Sequence, residues 1–315
     1  MKSIKIFLIS IILLTGSALY SQEDATYNFL RLEVDARSAA LAGTFTTITN
    51  DVNAIFYNPA SLSTINKKQA SVGFFKYLLD INSGNAAYTQ KIKDYGYFGA
   101  GLRFINYGEF DKYDENFNNL GTTSASDLAL NLTYSNIYET AIHYGVSLKF
   151  IYSSIDEFKS TAVALDFGFL YNVPSDKFSA GASLLNLGTQ LSSYNGTREK
   201  LPIEFKVGVS KELEYLPLML NVGFSNLALE SDNFFDRFKT FTVGGEFTLN
   251  EYVDLRVGYN NMERQNLKTG NTTGLGGFSA GIGFNYEKKY LLDYSFNSMG
   301  KIGATHRFNL RFILE

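Results

Sequence analysis

The chain has 315 residues, a net charge of −3, two histidines and no cysteine or tryptophan. The lack of cysteine excludes disulfides, thiol catalysis and zinc–thiolate sites, the two histidines leave little scope for histidine chemistry, and the slight acidity argues against a nucleic-acid partner. Aromatic residues make up 15% of the chain, with 27 glycines and only 4 prolines, which favours strands over helices or disorder.

The first 21 residues are typical of a secretory signal peptide. Lys2 and Lys5 precede an apolar run over residues 6–14, and small and polar residues follow as far as Ser21. The alternative is an uncleaved anchor helix, but the apolar run is well short of the roughly 20 residues that span a bilayer. We therefore predict cleavage after Ser21 and an exported mature chain.

Residues 22–67 form a second segment, which lacks the strand pattern seen later in the chain. Its sequence predicts a short helix that ends at Gly43, and Asn50 or Asp51 can cap a one-turn helix over residues 52–56. Several alanines and glycines in this segment permit close packing against another surface. We predict that it forms a hatch inside the domain that follows.

Residues 68–315 alternate apolar and polar side chains in segments of about ten residues, as strands with two different faces do. We count 14 such segments between residues 69 and 314. Most connections after odd-numbered segments are long and polar, whereas most of those after even-numbered segments are short turns. Long loops at one end and tight turns at the other are typical of an outer-membrane barrel. The predicted fold class is therefore all-β, a 14-stranded antiparallel transmembrane β-barrel with an N-terminal hatch.

The two faces of the predicted strands differ in a way that fits lipid outside and a polar lumen inside. One face is large, aromatic and aliphatic, and the other carries glycines and charge, which is costly in hydrocarbon. The charged positions include Arg103, Asp127, Lys149, Asp166, Glu204, Lys206, Glu246, Asp254, Arg256, Asp293, Arg307 and Arg311. A large secreted sandwich or propeller explains the alternation equally well, but it explains the loop asymmetry and the signal peptide together less well.

A motif within the hatch carries a family resemblance. The stretch 36–43 (ARSAALAG), followed by 50–60 (NDVNAIFYNPA) and Leu62, resembles the N-terminal signature of the PorV/PorQ family, a branch of the FadL-like outer-membrane transport proteins. Ser61 and Ala42 stand where relatives frequently have glycine, which leaves the branch within the family open. The resemblance implies a 14-stranded barrel whose lumen holds the hatch, in agreement with the segment count.

The same resemblance implies a function and a set of motif residues. PorV-like members work with the type IX secretion machinery of Bacteroidetes-type Gram-negative bacteria and bind exported proteins at the outer membrane. More distant FadL-like members move hydrophobic small molecules, and a passive porin is a third possibility. The residues that match the hatch motif are Asp51, Asn53, Asn58, Pro59 and Ala60. They are expected to fix the hatch in the lumen or to contact a ligand.

The partners expected from this resemblance are outer-membrane lipid, secretion-system proteins and their cargo, and a hydrophobic small molecule, with no nucleic acid. No catalytic residue, cofactor or metal site is predicted. His143 lies in phase with Ser147 and Lys149, but these residues do not make up the converging serine, histidine and orienting group of a hydrolase, so a structural role is expected. Asp111, Asp114 and Glu115 cluster in a loop but fit no calcium-binding motif, so a solvated acidic loop is expected.

Overall fold

The computed structural model describes residues 26–77, 80–228, 234–268 and 274–315. The predicted signal peptide, residues 1–21, and the first residues of the predicted hatch lie outside this described part. Within it, 14 strands pair with their sequence neighbours, all antiparallel, and β1 pairs with β14 to close a barrel. The predicted fold class is confirmed. The described helices include none that is both long enough and apolar enough to cross a membrane.

The barrel strands follow one another in chain order. They are β1 Gln69–Lys76, β2 Asn82–Ile92, β3 Gly96–Tyr113, β4 Asn119–Glu139, β5 Ile142–Ile155, β6 Phe158–Val173, β7 Phe178–Ser192, β8 Glu204–Glu212, β9 Leu218–Phe224, β10 Phe241–Thr248, β11 Val253–Asn260, β12 Phe278–Tyr286, β13 Tyr290–Ser298 and β14 Ala304–Ile313. The α-helices are α1 (Ala36–Ala40) and α2 (Asn261–Asn266). The 3-10 helices are Asn28–Arg31, Val52–Phe56, Pro59–Thr64, Pro174–Asp176 and Phe234–Thr240.

The barrel wall is taller on one side. Strands β3 to β7 have 14 to 21 residues, whereas the other strands have 7 to 11. The sequence predicted a long loop after residue 107, but β3 and β4 continue there as a hairpin that turns at residues 114–118. That prediction was wrong because polar residues outnumber apolar ones in this extension and a register shift between Asn106 and Glu109 interrupts the alternation that reveals a strand.

The chemistry of the two faces agrees with the predicted orientation. On β14, Arg307 and Arg311 point into the lumen and are each 3% exposed, whereas Phe308 points outward and is 52% exposed. The hatch fills the lumen, and its apolar residues form a core of their own. That core consists of Leu41, Phe45, Ile48, Val52, Ala54, Ile55, Phe56, Tyr57, Leu62 and Ile65, with Ala87 and Tyr97 from the wall. Burial of this core is the main apolar contribution to holding the hatch in place.

Glycines on the inner face let the hatch approach the wall closely. They are paired across neighbouring strands, as Gly145 with Gly168 and Gly181 with Gly208. A Cβ atom built on Gly145 would lie 2.4 Å from the carbonyl carbon of Pro59. Only a strand position without a side chain permits this backbone contact.

Candidate functional site

The predicted motif residues lie at the start of two consecutive 3-10 helices of the hatch. Asp51 caps the helix Val52–Phe56, because its Oδ1 accepts a hydrogen bond from the Asn53 N–H at 3.0 Å. Asn58 caps the helix Pro59–Thr64 in the same way, through the Ala60 N–H at 3.1 Å. Short polar side chains suit both caps, since they satisfy backbone donors that have no partner within the helix.

Asn58 also joins the hatch to the barrel. Its Nδ2 donates to the Thr46 carbonyl at 2.7 Å within the hatch and to the Phe169 carbonyl of β6 at 3.1 Å. Both oxygens lie on backbone, so Asn58 fixes two chain segments relative to each other. Pro59 and Ala60 are buried beside it against the paired glycines Gly145 and Gly168.

Two further contacts hold the same helix. The Ser135 Oγ of β4 donates to the Ala60 carbonyl at 3.1 Å, and Ser63 forms a 2.7 Å hydrogen bond with His143 Nδ1. His143 is therefore a structural partner of the hatch. Asn53 is also buried, and its Oδ1 has no hydrogen-bond partner in the described part of the chain. The motif thus reaches β4, β5 and β6, which are neighbours in the wall.

An ion-pair network connects the hatch to the opposite side of the barrel. Asp51 Oδ2 lies 2.9 Å from Arg37 NH1 and 2.5 Å from Arg311 NH1 of β14. Arg37 continues to Glu246 of β10 at 2.6 Å. Arg256 then joins Glu246 at 2.5 Å and Asp293 at 2.6 Å, as the last link of the network. These close pairs join three cations to three anions inside the lumen, and Asp254 adds a longer contact to Arg256 at 3.7 Å.

Arg37 is a site residue that the sequence analysis did not select. It comes from α1, whose N-terminus is capped by Asp35, and it reaches both Asp51 within the hatch and Glu246 in the wall. Burial alone would lower the pKa of Arg37, but the carboxylates of Glu246 and Asp51 raise it well above its ordinary value. The guanidinium therefore stays charged and acts as a permanent electrostatic link.

Within the described part of the chain, the Asp35 carboxylate has a hydrogen-bond partner for only one of its two oxygens. Its Oδ1 accepts from the Ser38 N–H at 3.1 Å, whereas its Oδ2 is buried without a partner among the described residues. Burial, together with the nearby charge of Asp51, raises the pKa of Asp35 to about 6 from an ordinary value of 3.8. At neutral pH the hatch therefore carries a buried carboxylate that destabilises it.

We expect Asp35→Asn to stabilise the hatch at pH 8 and to have little effect at pH 4. The folded state binds the proton of Asp35 more tightly than the unfolded state, so the cost of ionisation grows between pH 3.8 and about 6 and is complete above that. Asparagine keeps the capping oxygen without the charge. At pH 8 the substitution should raise the free energy of unfolding of the hatch by at most roughly 3 kcal/mol. The measurement is the protection of the α1 amides from hydrogen exchange. Equal effects at both pH values would contradict this explanation.

A second polar group lies in the lumen near β5 to β8. Lys149 Nζ is 3.0 Å from Asp166 Oδ2 and also donates to Asn186 Oδ1 at 2.5 Å. Asn186 adopts a left-handed conformation, and its N–H donates to Asp166 where the β6–β7 register shifts. The bulge therefore turns an amide into the lumen to complete this network.

A packed apolar cluster occupies the lumen at the end that carries the long connections. Its wall is formed by inward-facing residues of β3 to β6, and we call it the outer chamber. The wall residues are Ile105, Ala129, Ile151, Ala162 and Ala164, and the chamber is filled by Tyr27, Phe29, Leu30 and Leu201. Arg103 closes its base, because its NH2 donates to the Leu30 carbonyl at 2.9 Å and its guanidinium lies 5.4 Å from the Phe29 ring centre.

Two gaps between the hatch and the wall are narrow. A cavity beside Thr44, Thr46 and Thr47 has a volume of about 10 Å³, and one beneath Phe29 and Arg103 has about 20 Å³. Volumes of this size hold roughly one water molecule. At these two places the structure is closed to any larger solute.

The acidic residues considered for calcium are not gathered into a site. Asp111 lies in β3, and Asp114 shapes the hairpin turn by accepting from the N–H groups of Asn116 and Asn118 at 2.8 Å. Hydrogen bonds from Asn118, first from its side chain and then from its backbone, lower the pKa of Asp114. Within the described ranges, no group of three or more acidic or histidine side chains could hold a metal ion.

Comparison with known proteins gives structural matches only. No family model matches the sequence, and neither does any curated protein. The fold is similar to that of TbuX, the Ralstonia pickettii toluene transporter, with a TM-score of 0.61, 13% identity, and 90% of this chain and 99% of that chain covered. It is also similar to TodX, the P. putida toluene transporter, with a TM-score of 0.61, 12% identity and coverages of 89% and 96%.

A third solved structure, a Pseudomonas aeruginosa FadL homologue, matches with a TM-score of 0.54 and 12% identity, covering 88% of this chain and 97% of that chain. At such low identities the likeness concerns the fold. The fold is that of the FadL-like 14-stranded barrels with a hatch in the lumen.

Proposed function

We propose that this protein is an outer-membrane channel for hydrophobic small molecules and that the outer chamber is its binding site. The observation that carries the proposal is the outer chamber itself. A barrel lumen is ordinarily polar, yet here five neighbouring inward positions are aliphatic or alanine. These positions pack against apolar side chains of the chain itself, and an apolar lining of this kind also suits an apolar ligand.

The residues that fill the outer chamber support this function. Phe29 and Leu30 come from the first described residues of the hatch, 26–34, which we call the N-terminal segment, so the chain itself occupies an apolar site. Burying one such side chain is worth about 1.5–3 kcal/mol, which an apolar ligand of similar size can match. A ligand can therefore replace these side chains, and the segment that leaves opens the path beneath it. The fold shared with two toluene transporters agrees with this proposal.

Association with type IX secretion is the function that the PorV/PorQ resemblance predicts. None of the structural matches described above supports it, since they are two toluene transporters and a FadL homologue. Secretion partners and exported cargo therefore remain predictions from the motif. No step in the proposed channel function requires catalysis, and we assign this chain no enzymatic role.

We expect Ala162→Asp to abolish uptake of hydrophobic molecules. A carboxylate in the outer chamber must be desolvated whenever an apolar ligand binds, so uptake of toluene by cells that carry the protein in their outer membrane should fall at least about tenfold. Ser124→Asp is the matched control, because it adds the same charge to an exposed position of the β3–β4 hairpin at the same end of the barrel. Unchanged toluene uptake by Ala162→Asp, with the barrel intact, would refute the proposed site.

A further inference from the structure

A cavity of about 170 Å³ lies at the end of the barrel that carries the long connections, between the N-terminal segment, α2 and the β13–β14 hairpin. We call it the rim cavity. Its lining includes Leu32, Glu33, Tyr77, Glu263 and Arg307. Leu32 also packs against the outer chamber, so it separates the two spaces. The proposed channel function makes no use of the rim cavity.

Two carboxylates of the rim cavity lack hydrogen-bond donors. Among the described residues, no group donates to the Glu263 carboxylate, and Glu33 has only Arg307 NH2 at 3.9 Å, which is beyond hydrogen-bond range. Burial, and next the charge of Glu33, raises the pKa of Glu263 to about 7. A cationic group placed between two such carboxylates would stabilise their charged forms.

Arg307, in contrast, has a hydrogen-bond donor that lacks an acceptor among the described residues. It is 3% exposed, and its NH1 donates to Asn297 Oδ1 at 2.9 Å and to Thr305 Oγ1 at 3.2 Å. Its guanidinium lies 3.7 Å from the ring centre of Phe75, which holds the plane of the group in place. Its NH2 donates no hydrogen bond in the described part of the chain, since the Glu33 carboxylate lies 3.9 Å away. A fixed arginine with a free donor is a site for a carboxylate.

We propose that the rim cavity binds a small zwitterion of the amino-acid class, whose carboxylate meets Arg307 and whose ammonium meets Glu263 and Glu33. An organic cation alone leaves the donors of Arg307 without an acceptor and faces its positive charge. An organic anion alone faces two carboxylates. Only a ligand with both charges satisfies both sets of groups.

The size and the remaining lining agree with this ligand class. A cavity of about 150 Å³ in another protein holds benzene, so the rim cavity suits a molecule of roughly that size or slightly larger. Leu32, Leu267 and Met299 line it and offer contacts for a short aliphatic body. We therefore take valine as the probe.

The proposal is tested by titration calorimetry of the full chain in detergent at pH 8, with three matched compounds. L-valine carries both charges, isobutylamine lacks the carboxylate and isovalerate lacks the ammonium. We expect valine to bind and each single-charge analogue to bind at least about tenfold more weakly. Absence of valine binding, or binding of isobutylamine with equal affinity, would overturn the proposal.

Variants locate the site. Glu263→Gln should weaken valine binding at least about tenfold, because it removes a charged partner of the ammonium. Glu157→Gln is the control, since it removes the same charge from an exposed turn between β5 and β6. If Glu263→Gln fails to fold, judged by heat-dependent gel migration, Glu33→Gln provides the same test. Toluene uptake should be unchanged in these variants, so a failure here is separable from a failure of the channel function.

Discussion

Asp51→Asn is expected to release the hatch from the barrel while the barrel itself stays folded. The substitution keeps the oxygen that caps the Asn53 N–H, but it removes the charge that pairs with Arg37 and Arg311. An amide then faces two buried guanidinium groups. Removing one partner of a buried ion pair costs roughly 3–5 kcal/mol, because the remaining charge stays desolvated.

The release should be visible in two measurements. Amide exchange in the helices Val52–Phe56 and Pro59–Thr64 should accelerate by about a hundredfold or more, whereas exchange in the paired strands should not change. Swelling of liposomes in a small sugar should increase, because the lumen is no longer filled. Asp94→Asn is the matched control, since it removes the same charge from an exposed turn between β2 and β3.

A double variant tests whether lost charge balance is what releases the hatch in Asp51→Asn. Among the close pairs of the network, Asp51→Asn leaves three cations and two anions, and adding Arg311→Gln restores two of each. The double variant should therefore recover part of the lost protection. If both single and double variants exchange at the rate of the unmodified protein, the network is not what holds the hatch.

Sequence patterns were sufficient for the fold because a membrane barrel repeats one rule at every strand. Outward residues such as Phe308 meet lipid and inward residues such as Arg307 do not, so an alternation of period two marks each strand. The rule no longer applies where the strands leave the membrane. The β3–β4 hairpin extends to Tyr113 and restarts at Asn119, with a register shift after Asn106 and few apolar residues, and the sequence analysis mistook it for a loop.

The candidate site was only partly accessible to sequence reasoning. Asp51 and Asn58 were selected through a contiguous motif, whereas Arg37 acts through Glu246, which lies 209 positions away. The outer chamber depends on single alanines from β4 and β6, such as Ala129 and Ala162, which look like ordinary small residues in sequence. Their shared location emerges only from the strand register, because no local signal encodes which inward positions meet across a lumen.

Gly145→Ala is expected to displace the hatch through backbone contact alone. The added Cβ atom would lie 2.4 Å from the Pro59 carbonyl carbon and 2.6 Å from the Ala60 nitrogen. These are backbone atoms held by the Asn58 cap, so they cannot avoid the methyl group by a side-chain rotation. Overpacking of this kind costs typically 1–3 kcal/mol. The helix Pro59–Thr64 should therefore shift away from β5, with faster amide exchange there and increased permeation of small solutes.

Gly245→Ala is the matched control for this effect. It introduces the same methyl group in β10, where the nearest atom, Leu218 Cδ1, would be 3.5 Å away in ordinary contact. Both substitutions reduce the flexibility of the unfolded chain equally, so a difference between them reports the close approach to the hatch. Since Gly145→Ala changes no charge, its comparison with Asp51→Asn separates the contribution of shape from that of the ion pairs. If permeation increases only for Asp51→Asn, electrostatic attachment alone keeps the lumen closed; increases for both indicate that the hatch needs both contacts to remain in place.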